Sequence, residues 1–257
     1  MGTSRVLSTT NNSLEVIETI IKLDGASLSE ISDELEMARS AVHTHLNTLL
    51  KHGYVVREGN VYRIGLKLVH LGEYAKNQHE VHSMAEKWVS RLAERTELET
   101  DFTVEENGRI ISLYDSTKYS TDGVTFLDNG RYYYCHNTAA GKAILSHYSE
   151  EKVGEILDQW GMPSDTSRSI TTRGEFFDEL QRVRERGYAT SLEECIESLN
   201  AAARAVQNPR GQICGAFVVT GPSYVLDETR IKEVSNQLVE TAQEYERNLE
   251  RYYEVSE

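Results

Sequence analysis

Short polar and basic side chains alternate with apolar ones over residues 39–52, RSAVHTHLNTLLKH. At the 3.6-residue period of a helix, the apolar residues from Val42 to Leu50 share one face and leave the other face polar. An Asn side chain can pair with adenine through two hydrogen bonds, and Arg can contact guanine or phosphate. A Ser at the helix start can hold a phosphate together with the backbone amides. The pattern therefore predicts a DNA-recognition helix with an outward face formed by Arg39, Ser40, His43, Thr44 and Asn47.

A second group of candidate DNA contacts surrounds a predicted hairpin at residues 54–64, YVVREGNVYRI. Two runs of β-forming residues are separated by Glu58-Gly59-Asn60, and Gly and Asn readily adopt the positive φ of tight hairpin turns. Polar side chains at the tip would reach a minor groove or the phosphate backbone, namely Arg57, Asn60 and Arg63. The alternative for both groups is an ordinary solvated surface, and the residue types alone leave it open.

A third candidate site lies in residues 136–145, HNTAAGKAIL. Small residues at a helix start allow a ligand to approach the amides of Ala139, Ala140 and Gly141, as in anion sites at helix termini. Tight packing of the same helix against a sheet would also require Ala and Gly. Both interpretations fit the residues equally well.

The elements around the first two groups are typical of a winged helix-turn-helix. A first helix is predicted over residues 13–23, capped by Asn11, Asn12 or Ser13, and its apolar face comprises Leu14, Ile17, Ile20 and Ile21. A second helix begins at Ser27, where Ser27-x-x-Glu30 forms a capping box. The third helix ends at Gly53, and the hairpin supplies the wing. A winged helix used only for protein contacts remains the alternative.

The rest of the chain predicts a linker helix and an α+β domain. Residues 66–96 have the pattern of one or two amphipathic helices, and the later hairpins turn at Asn107-Gly108, Asn129-Gly130 and 208–211. A long closing helix is capped by Asp227. We expect a largely antiparallel sheet flanked by helices on one side. The predicted organisation is a winged helix-turn-helix in residues 1–75, a linker helix in 76–96 and a second domain in 97–257.

The chain of 257 residues carries 27 Lys and Arg against 41 Asp and Glu, a net charge of −14. Residues 1–75 contribute 7 basic and 9 acidic side chains, so most of the acidity lies outside the predicted DNA-binding domain. The acidic excess indicates either ordinary solubility or a high-salt cytoplasm. In about 1 M salt the Debye length falls to about 3 Å, and phosphate contacts then contribute less to DNA affinity.

Several classes of protein are not expected. No apolar run reaches the roughly 20 residues of a membrane helix, and the start lacks a secretory signal, so we expect a soluble cytoplasmic protein. Three scattered Cys residues predict neither a disulfide framework nor a zinc finger. The sequence has no GxSxG, HExxH or P-loop, so no enzymatic activity, cofactor or metal is expected. A metal-responsive regulator remains an alternative, with candidate ligands His79, His82, Cys135 and His136.

Four blocks in this order make the chain resemble the IclR family of transcriptional regulators: SAVHTHLNTLLKHGYV, HNTAAGKAIL, RGYATSLEE and AAARAVQNPRGQICGAFVVTGP. The resemblance implies a GAF-like α/β effector-binding domain with an antiparallel sheet in residues 97–257. It implies a homodimer or homotetramer on palindromic operators in double-stranded DNA, and a small-molecule effector controlling sugar or organic-acid catabolism. Combined with the acidic surface, it suggests a halophilic archaeon as one origin. The implied effector-binding residues are Thr138, Ala139, Ala140, Gly141, Ser191, Asn200, Ala201 and Thr220.

The chain departs from the family pattern at residues that face ligands. Ser191 and Leu192 stand where an acidic residue is frequent, Val218 and Thr220 stand where Ser is frequent, and Thr44 replaces a usual Arg. The effector and the operator of other members therefore do not transfer to this chain. A protein-interaction module that keeps the winged helix without DNA binding is the remaining alternative function.

Overall fold

The computed structural model describes residues 6–119 and 130–256. They belong to two compact units, Met1–Gln78 and His79–Glu257. The first unit contains four helices and a three-stranded sheet of order β1-β3-β2 among its described residues. Its elements are α1 (Ser8–Lys22), β1 (Ala26–Ser27), α2 (Leu28–Glu34), α3 (Arg39–His52), β2 (Val55–Glu58), β3 (Val61–Ile64) and α4 (Lys67–Lys76).

Local signals in the first unit form as predicted. Ser27 Oγ accepts from the Glu30 amide at 3.3 Å while a Glu30 carboxylate oxygen accepts from the Ser27 amide at 2.8 Å, which confirms the capping box. Gly53 ends α3 in the left-handed region at φ 75°, where a side chain would be strained. β2 and β3 pair antiparallel around Gly59 and Asn60, which confirms the wing hairpin.

The first helix differs from its prediction in start and in orientation. It begins at Ser8 after Leu7, which makes no side-chain cap, so the predicted caps Asn11 to Ser13 lie inside the helix. Leu14 and Ile21 are 54% and 61% exposed. Ile20 is buried as predicted, and Val16 is buried in place of Leu14 and Ile21, because α1 packs against α3 through a neighbouring stripe of its surface. The short strand β1 was not predicted.

The segment of residues 66–96, predicted to form one or two amphipathic helices, is divided into three helices. α4 ends at Lys76, and α5 (Glu80–Ser83) and α6 (Glu86–Thr96) follow as separate helices. The Asn77 side chain donates to the Glu73 carbonyl at 2.8 Å, which satisfies a carbonyl at the end of α4. His79 is extended at φ −120° and ψ 109°, so the helix cannot continue through it.

The second unit contains a six-stranded antiparallel sheet of order β6-β5-β4-β9-β8-β7 in the described residues. Its fold class, an α+β domain after a winged helix, is as predicted. The turn at Asn107-Gly108 joins β4 and β5 as expected, whereas Asn129 of the next predicted turn lies outside the described residues. The remaining elements are β4 (Glu99–Glu106), β5 (Arg109–Ser116), β6 (Tyr132–Tyr134), α7 (Ala139–Leu145), α8 (Glu150–Trp160), α9 (Arg173–Arg186), β7 (Ala189–Leu192), β8 (Leu199–Gln207), β9 (Ile213–Pro222) and α10 (Glu228–Ser256).

Helices cover both faces of this sheet, so the prediction of helices on one side is wrong. One face packs Phe102, Phe217 and Val219 against α6 and α10, including the fully buried Tyr245. The other packs Ala203 and Val218 against α7, α8 and α9. Most residues of both alternating sets on β8 and β9 are apolar or small, which lets each face of the strands be buried. No helix among the described residues is long and apolar enough to cross a membrane.

Candidate functional site

The outward face of α3 presents all five predicted side chains to solvent. At its start, the Arg39 guanidinium donates to Ser29 Oγ on α2 at 2.6 Å. Further along, the Asn47 amide nitrogen lies 3.3 Å from His43 Nδ1, and Thr44 Oγ1 donates to the Ser40 carbonyl at 2.9 Å. These contacts order the side chains while leaving the face exposed, as a recognition helix requires.

The turn between α2 and α3 fixes the direction of that helix. Glu36 occupies the left-handed region at φ 50°, and Ser32 Oγ donates to the Met37 carbonyl at 2.6 Å. Behind α3, Val42 and Leu46 are fully buried in the core of the unit. The packing of this apolar face holds α3 with its polar face outward.

The wing holds its three predicted residues in different ways. Arg57 Nε donates to the Gly59 carbonyl at 2.8 Å, and its guanidinium also contacts Asn60 at the tip. Arg63 lies at the other end of β3, where it pairs with Glu58 at 3.1 Å and donates to the Asp24 carbonyl at 3.2 Å. Arg57 and Asn60 are thus brought together at the tip, and Arg63 is held by acceptors of the unit itself.

A cavity of about 510 Å³, its mouth included, lies in the second unit between the start of α7 and the sheet. Most of the predicted effector-binding residues line it: Thr138, Ala139, Ala140, Ser191, Ala201 and Thr220. Ser191, Ala201 and Thr220 are direct cross-strand neighbours on β7, β8 and β9, which brings them onto one face of the sheet.

Two predicted residues do not line this cavity. Asn200 precedes Ala201 on β8, so its side chain points to the opposite face, where it donates to the Leu226 carbonyl at 2.9 Å. Gly141 packs against the backbone of Cys135, and a Cβ at this position would lie 2.2 Å from the Cys135 carbonyl oxygen. For Gly141 the close approach of helix and strand explains the missing side chain.

The anion site predicted at the start of α7 has fewer free donors than the residues suggested. α7 is only seven residues long, and the Gly141 amide donates to Thr138 Oγ1 at 3.2 Å. The next residue, Lys142, is 1% exposed and forms an ion pair with Glu194 at 2.6 Å. Burial raises the pKa of Glu194, and the Lys142 charge opposes that rise. The start of α7 is thus tied to the loop after β7.

Sequence reasoning missed most of the cavity wall. Alternate residues of a strand face the same side, so Thr103, Ile110 and Ser112 on β4 and β5 could have been predicted if it were known which set faces the cavity. No motif in the sequence shows which set that is. The loop after β7 adds Cys195 and Ile196, which carry no sequence signal for a ligand. The residues missed are Thr103, Ile110, Ser112, Tyr133, Cys195, Ile196 and Leu199.

Carboxylates lie on the same face of the sheet beside the cavity. Glu99 is the cross-strand neighbour of Thr220, and Asp101 is the neighbour of both Val218 and Asp115. Glu99 and Asp101 are 3% and 1% exposed. Burial raises the pKa of Asp101 well above the usual carboxyl range, and the neighbouring carboxylates of Glu99 and Asp115 raise it further.

The candidate metal ligands do not assemble. In the part of the chain that the structure describes, no three His, Cys, Asp or Glu side chains are placed to hold a metal ion. His79 and His82 contact each other edge to face with ring centroids 5.0 Å apart. The Cys135 thiol donates to the Gly108 carbonyl, and His136 Nε2 lies 2.9 Å from the Pro163 carbonyl. These side chains are engaged in packing and local hydrogen bonds.

Comparison with protein families gives two matches along the chain. The model of the IclR helix-turn-helix domain matches residues 9–59. The model described as the bacterial transcriptional regulator IclR C-terminal domain matches residues 73–247, more than half of the chain.

Individual proteins agree with these matches. The chain is 27% identical to the "Probable HTH-type transcriptional regulator ArcR" of Halobacterium salinarum, over 97% of this chain and 96% of that protein. It is 29% identical to the HTH-type transcriptional regulator KdgR of Escherichia coli, over 80% and 79% of the two chains. The crystal structure of the Thermotoga maritima IclR superposes with a TM-score of 0.77 at 23% identity, covering 95% of this chain and 99% of that one. An IclR homologue from Microbacterium hydrocarbonoxydans, complexed with 4-hydroxybenzoate, has a TM-score of 0.76 at 19% identity, with 94% and 98% covered.

Proposed function

The chain belongs to the IclR family of transcriptional regulators, and on that basis we propose how this member works. α3 reads base edges in the major groove through Arg39, His43 and Asn47, while Ser40 and Thr44 contact the backbone. Arg57 and Asn60 at the wing tip reach the adjacent groove, with Arg63 supporting them. The observation that carries this proposal is the exposed polar face of α3, fixed from behind by a buried apolar core.

The protein acts on DNA as a homodimer or homotetramer. Two-fold symmetry of the oligomer then matches a palindromic operator, with half-sites about one helical turn or a multiple of it apart. Large aliphatic side chains at the start of α4 support association, since Leu66, which precedes the helix, and Val69 are 85% and 59% exposed. A regulator of genomic DNA works in the cytoplasm.

The cavity binds the effector. Thr138, Ser191 and Thr220 line it. The ligand shifts the equilibrium between two arrangements of the winged helices, which requires that it bind one arrangement more tightly than the other. The target genes are catabolic, in keeping with relatives that include a "Glycerol operon regulatory protein" from Streptomyces griseus.

Binding at high salt is expected to depend on base contacts. The acidic composition and the similarity to a Halobacterium protein support a halophilic host. The test is fluorescence anisotropy of labelled DNA from around the protein's own gene, at low and at about 1 M KCl. Tight binding that distinguishes this DNA from a scrambled duplex at both salts supports the proposal.

Two outcomes would contradict it. Absence of DNA binding at every salt concentration, with the protein folded and oligomeric, favours a protein-interaction module. Binding that disappears on treatment with a chelator and returns with added metal favours a metal-responsive regulator.

A further inference from the structure

The described wall of the cavity in the second unit consists of uncharged side chains. Five of the residues are Ser or Thr, and the others are Ala, Ile, Leu, Val, Tyr or Cys. Burial raises the pKa of the Cys195 thiol to about 11, so this side chain also carries no charge near neutral pH. In the sequence, residues 120–129, which lie outside the described part, contain no Lys, Arg or His. A ligand in this cavity therefore meets neither a cation nor a carboxylate on the described wall.

A buried cation beside the cavity is already paired. Lys142 follows the wall residues Ala139 and Ala140 on α7 and is 1% exposed, but it does not line the cavity. Its Nζ lies 2.6 Å from a carboxylate oxygen of Glu194. Turning Lys142 toward a ligand would leave the buried Glu194 without its partner, which is strongly unfavourable. This lysine therefore does not offer its charge to an anionic ligand.

The sheet beside the cavity disfavours charge as well. Glu99 and Asp101 on β4 are the cross-strand neighbours of Thr220 and Val218, and neither carboxyl lines the cavity. Burial raises the pKa of Asp101 well above the usual carboxyl range, and the neighbouring Glu99 raises it further. An environment that disfavours the ionised form of its own carboxyl group disfavours an anionic ligand for the same reason. With its pKa raised, Asp101 also does not supply the anion that a cationic ligand would need.

Thr220 supplies a hydroxyl for the polar part of a ligand. Two other hydroxyls of the wall are used by the fold, since Thr138 Oγ1 donates to the Tyr134 carbonyl and Ser191 Oγ donates to the Asn137 carbonyl, each at 2.9 Å. Thr220 is 1% exposed, and its Oγ1 has no hydrogen-bond partner in the described part of the chain. Buried polar groups are nearly always paired. A hydroxyl both donates and accepts, so an uncharged alcohol, phenol or carbonyl group can satisfy it.

The wall around Thr220 is apolar. Its cross-strand neighbour Ala201 lines the cavity, and so do Val218 and Leu199, which lie two residues along the same two strands on the same face. The Ser112 hydroxyl lies two strands away on β5, so it does not share one ligand group with Thr220. A sugar would leave several hydroxyls unpaired against these aliphatic side chains, which is costly.

These observations define a chemical class of ligand. We infer that the cavity binds an uncharged, largely apolar molecule whose single hydroxyl or carbonyl group pairs with Thr220. The inference rests on the proposed effector role of the cavity. An ionised acid or amine would have to leave its charge unpaired in a buried site, whereas an apolar body gains from removal from water.

The first test compares probes that share a benzene ring and differ in charge: benzyl alcohol, benzylamine and benzoate. In isothermal titration of the full chain near neutral pH, benzyl alcohol should bind most tightly. Each ion should bind about tenfold to a hundredfold more weakly, because its charge finds no partner. Equal or tighter binding of either ion overturns the inference, as does the failure of benzyl alcohol to bind at millimolar concentration.

The pH dependence of benzylamine binding tests the same point with a single probe. If only the uncharged amine binds, the association constant should rise about tenfold for each pH unit from about pH 7 to about pH 9, as the free amine loses its proton. Benzyl alcohol does not titrate in this range and is the control for changes in the protein, so its binding should stay constant. A benzylamine association constant that does not rise overturns the inference.

A variant locates the polar contact. Thr220→Val keeps the shape of the side chain and removes the hydroxyl, so benzyl alcohol should bind about threefold to tenfold more weakly. Toluene, which has no polar group, should bind this variant at least as tightly as the unaltered protein. Thr171→Val, at an exposed position before α9, is the matched control and should change neither. If Thr220→Val binds benzyl alcohol as tightly as the unaltered protein, the inference is wrong.

The titrations are repeated with labelled DNA from around the protein's own gene, so that the two proposals fail separately. If benzyl alcohol binds as described and DNA affinity does not change, the uncharged site is supported and the effector role of the cavity is contradicted. If DNA affinity responds to benzoate and not to benzyl alcohol, the effector role is supported and the uncharged ligand is contradicted.

Discussion

The outward face of α3 and the wall of the cavity both carry polar side chains. Those on α3 face solvent, whereas those at the cavity are buried. On α3, Asn47 and its neighbours are exposed, so water satisfies them whenever DNA is absent. At the cavity, Ser112 and Thr220 are buried, and the Thr220 hydroxyl has no hydrogen-bond partner among the described residues. An exposed polar group costs the fold little, whereas an unpaired buried one costs about 1–3 kcal/mol. Substitutions on the outward face of α3 should therefore change DNA binding without changing the free energy of unfolding. Substitutions of buried polar groups at the cavity should change both ligand binding and the free energy of unfolding.

The largest effect is expected at a buried group, the ion pair of Lys142 and Glu194 next to the cavity. Lys142→Met leaves Glu194 buried without its cation, and the free energy of unfolding should fall by about 3–5 kcal/mol. Urea denaturation measures the loss. The exposed pair of Lys152 and Glu155, with nitrogen and oxygen 3.8 Å apart, supplies the control, since Lys152→Met should cost at most about 1 kcal/mol.

A double variant sharpens the result. Lys142→Met combined with Glu194→Gln removes both charges and should recover much of the stability lost in the single variant. A loss of similar size at Lys152 would mean that burial does not distinguish the two pairs.

The next largest effect is expected on the exposed outward face of α3. Asn47→Ala should weaken operator binding by about 1–3 kcal/mol, the worth of one bidentate base contact, and should relax the preference at one base pair. The free energy of unfolding should stay within about 0.5 kcal/mol of the original. Anisotropy and urea denaturation on the same preparation separate the two quantities.

Asn11→Ala, which removes an exposed Asn from α1, should change neither quantity. The comparison breaks down if Asn47→Ala unfolds the protein, because the side chain would then be part of the core.

A smaller effect concerns pH. The pKa of Asp101 is raised in the folded state, mainly by burial. Its contribution to stability is therefore fully present below the carboxyl pKa of the unfolded chain and is lost as the pH rises through the folded pKa. Asp101→Asn removes this dependence and should stabilise the ligand-free protein by about 1 kcal/mol at neutral pH. Thermal unfolding between pH 4 and neutrality should show the gain shrinking as the pH falls. A variant less stable than the original at neutral pH would contradict the unpaired, buried carboxylate.

The smallest expected effect is at Ser27, a half-buried residue whose side chain is paired within the fold. Ser27→Ala removes one half of the capping box and should cost about 1 kcal/mol. Thermal unfolding of the variant measures this. An unchanged midpoint of thermal unfolding would show that water can fully replace the hydrogen bond of the Ser27 hydroxyl.

Local chemistry allowed several elements to be predicted from the sequence. The Ser27–Glu30 capping box, the left-handed end of α3 at Gly53 and the turn at Asn107-Gly108 each depend on residues that contact one another along the chain. The polar face of α3 was predicted for the same reason, since one helical period orders its side chains. The roles of its residues and of the cavity in binding stay predictions, to be decided by the experiments above.

Packing decided what local patterns left open. The apolar residues of α1 allow two neighbouring stripes, and contact with α3 buries Val16 while Leu14 stays exposed. A strand of alternating small residues has two possible phases, and the partners of β8 direct Ala201 into the cavity and Asn200 away from it.

The sequence by itself determined the capping box of α2, the end of α3 at Gly53, the turn at Asn107-Gly108 and the outward face of α3, because the interactions involved span a few residues. The tertiary structure decided which side chains meet across strands. Asp101, Ser112 and Thr220 come from separate segments, and only the register of β4, β5 and β9 places them on one face of the sheet. Such pairings depend on the sum of many contacts between residues distant in sequence, and no single residue type predicts them.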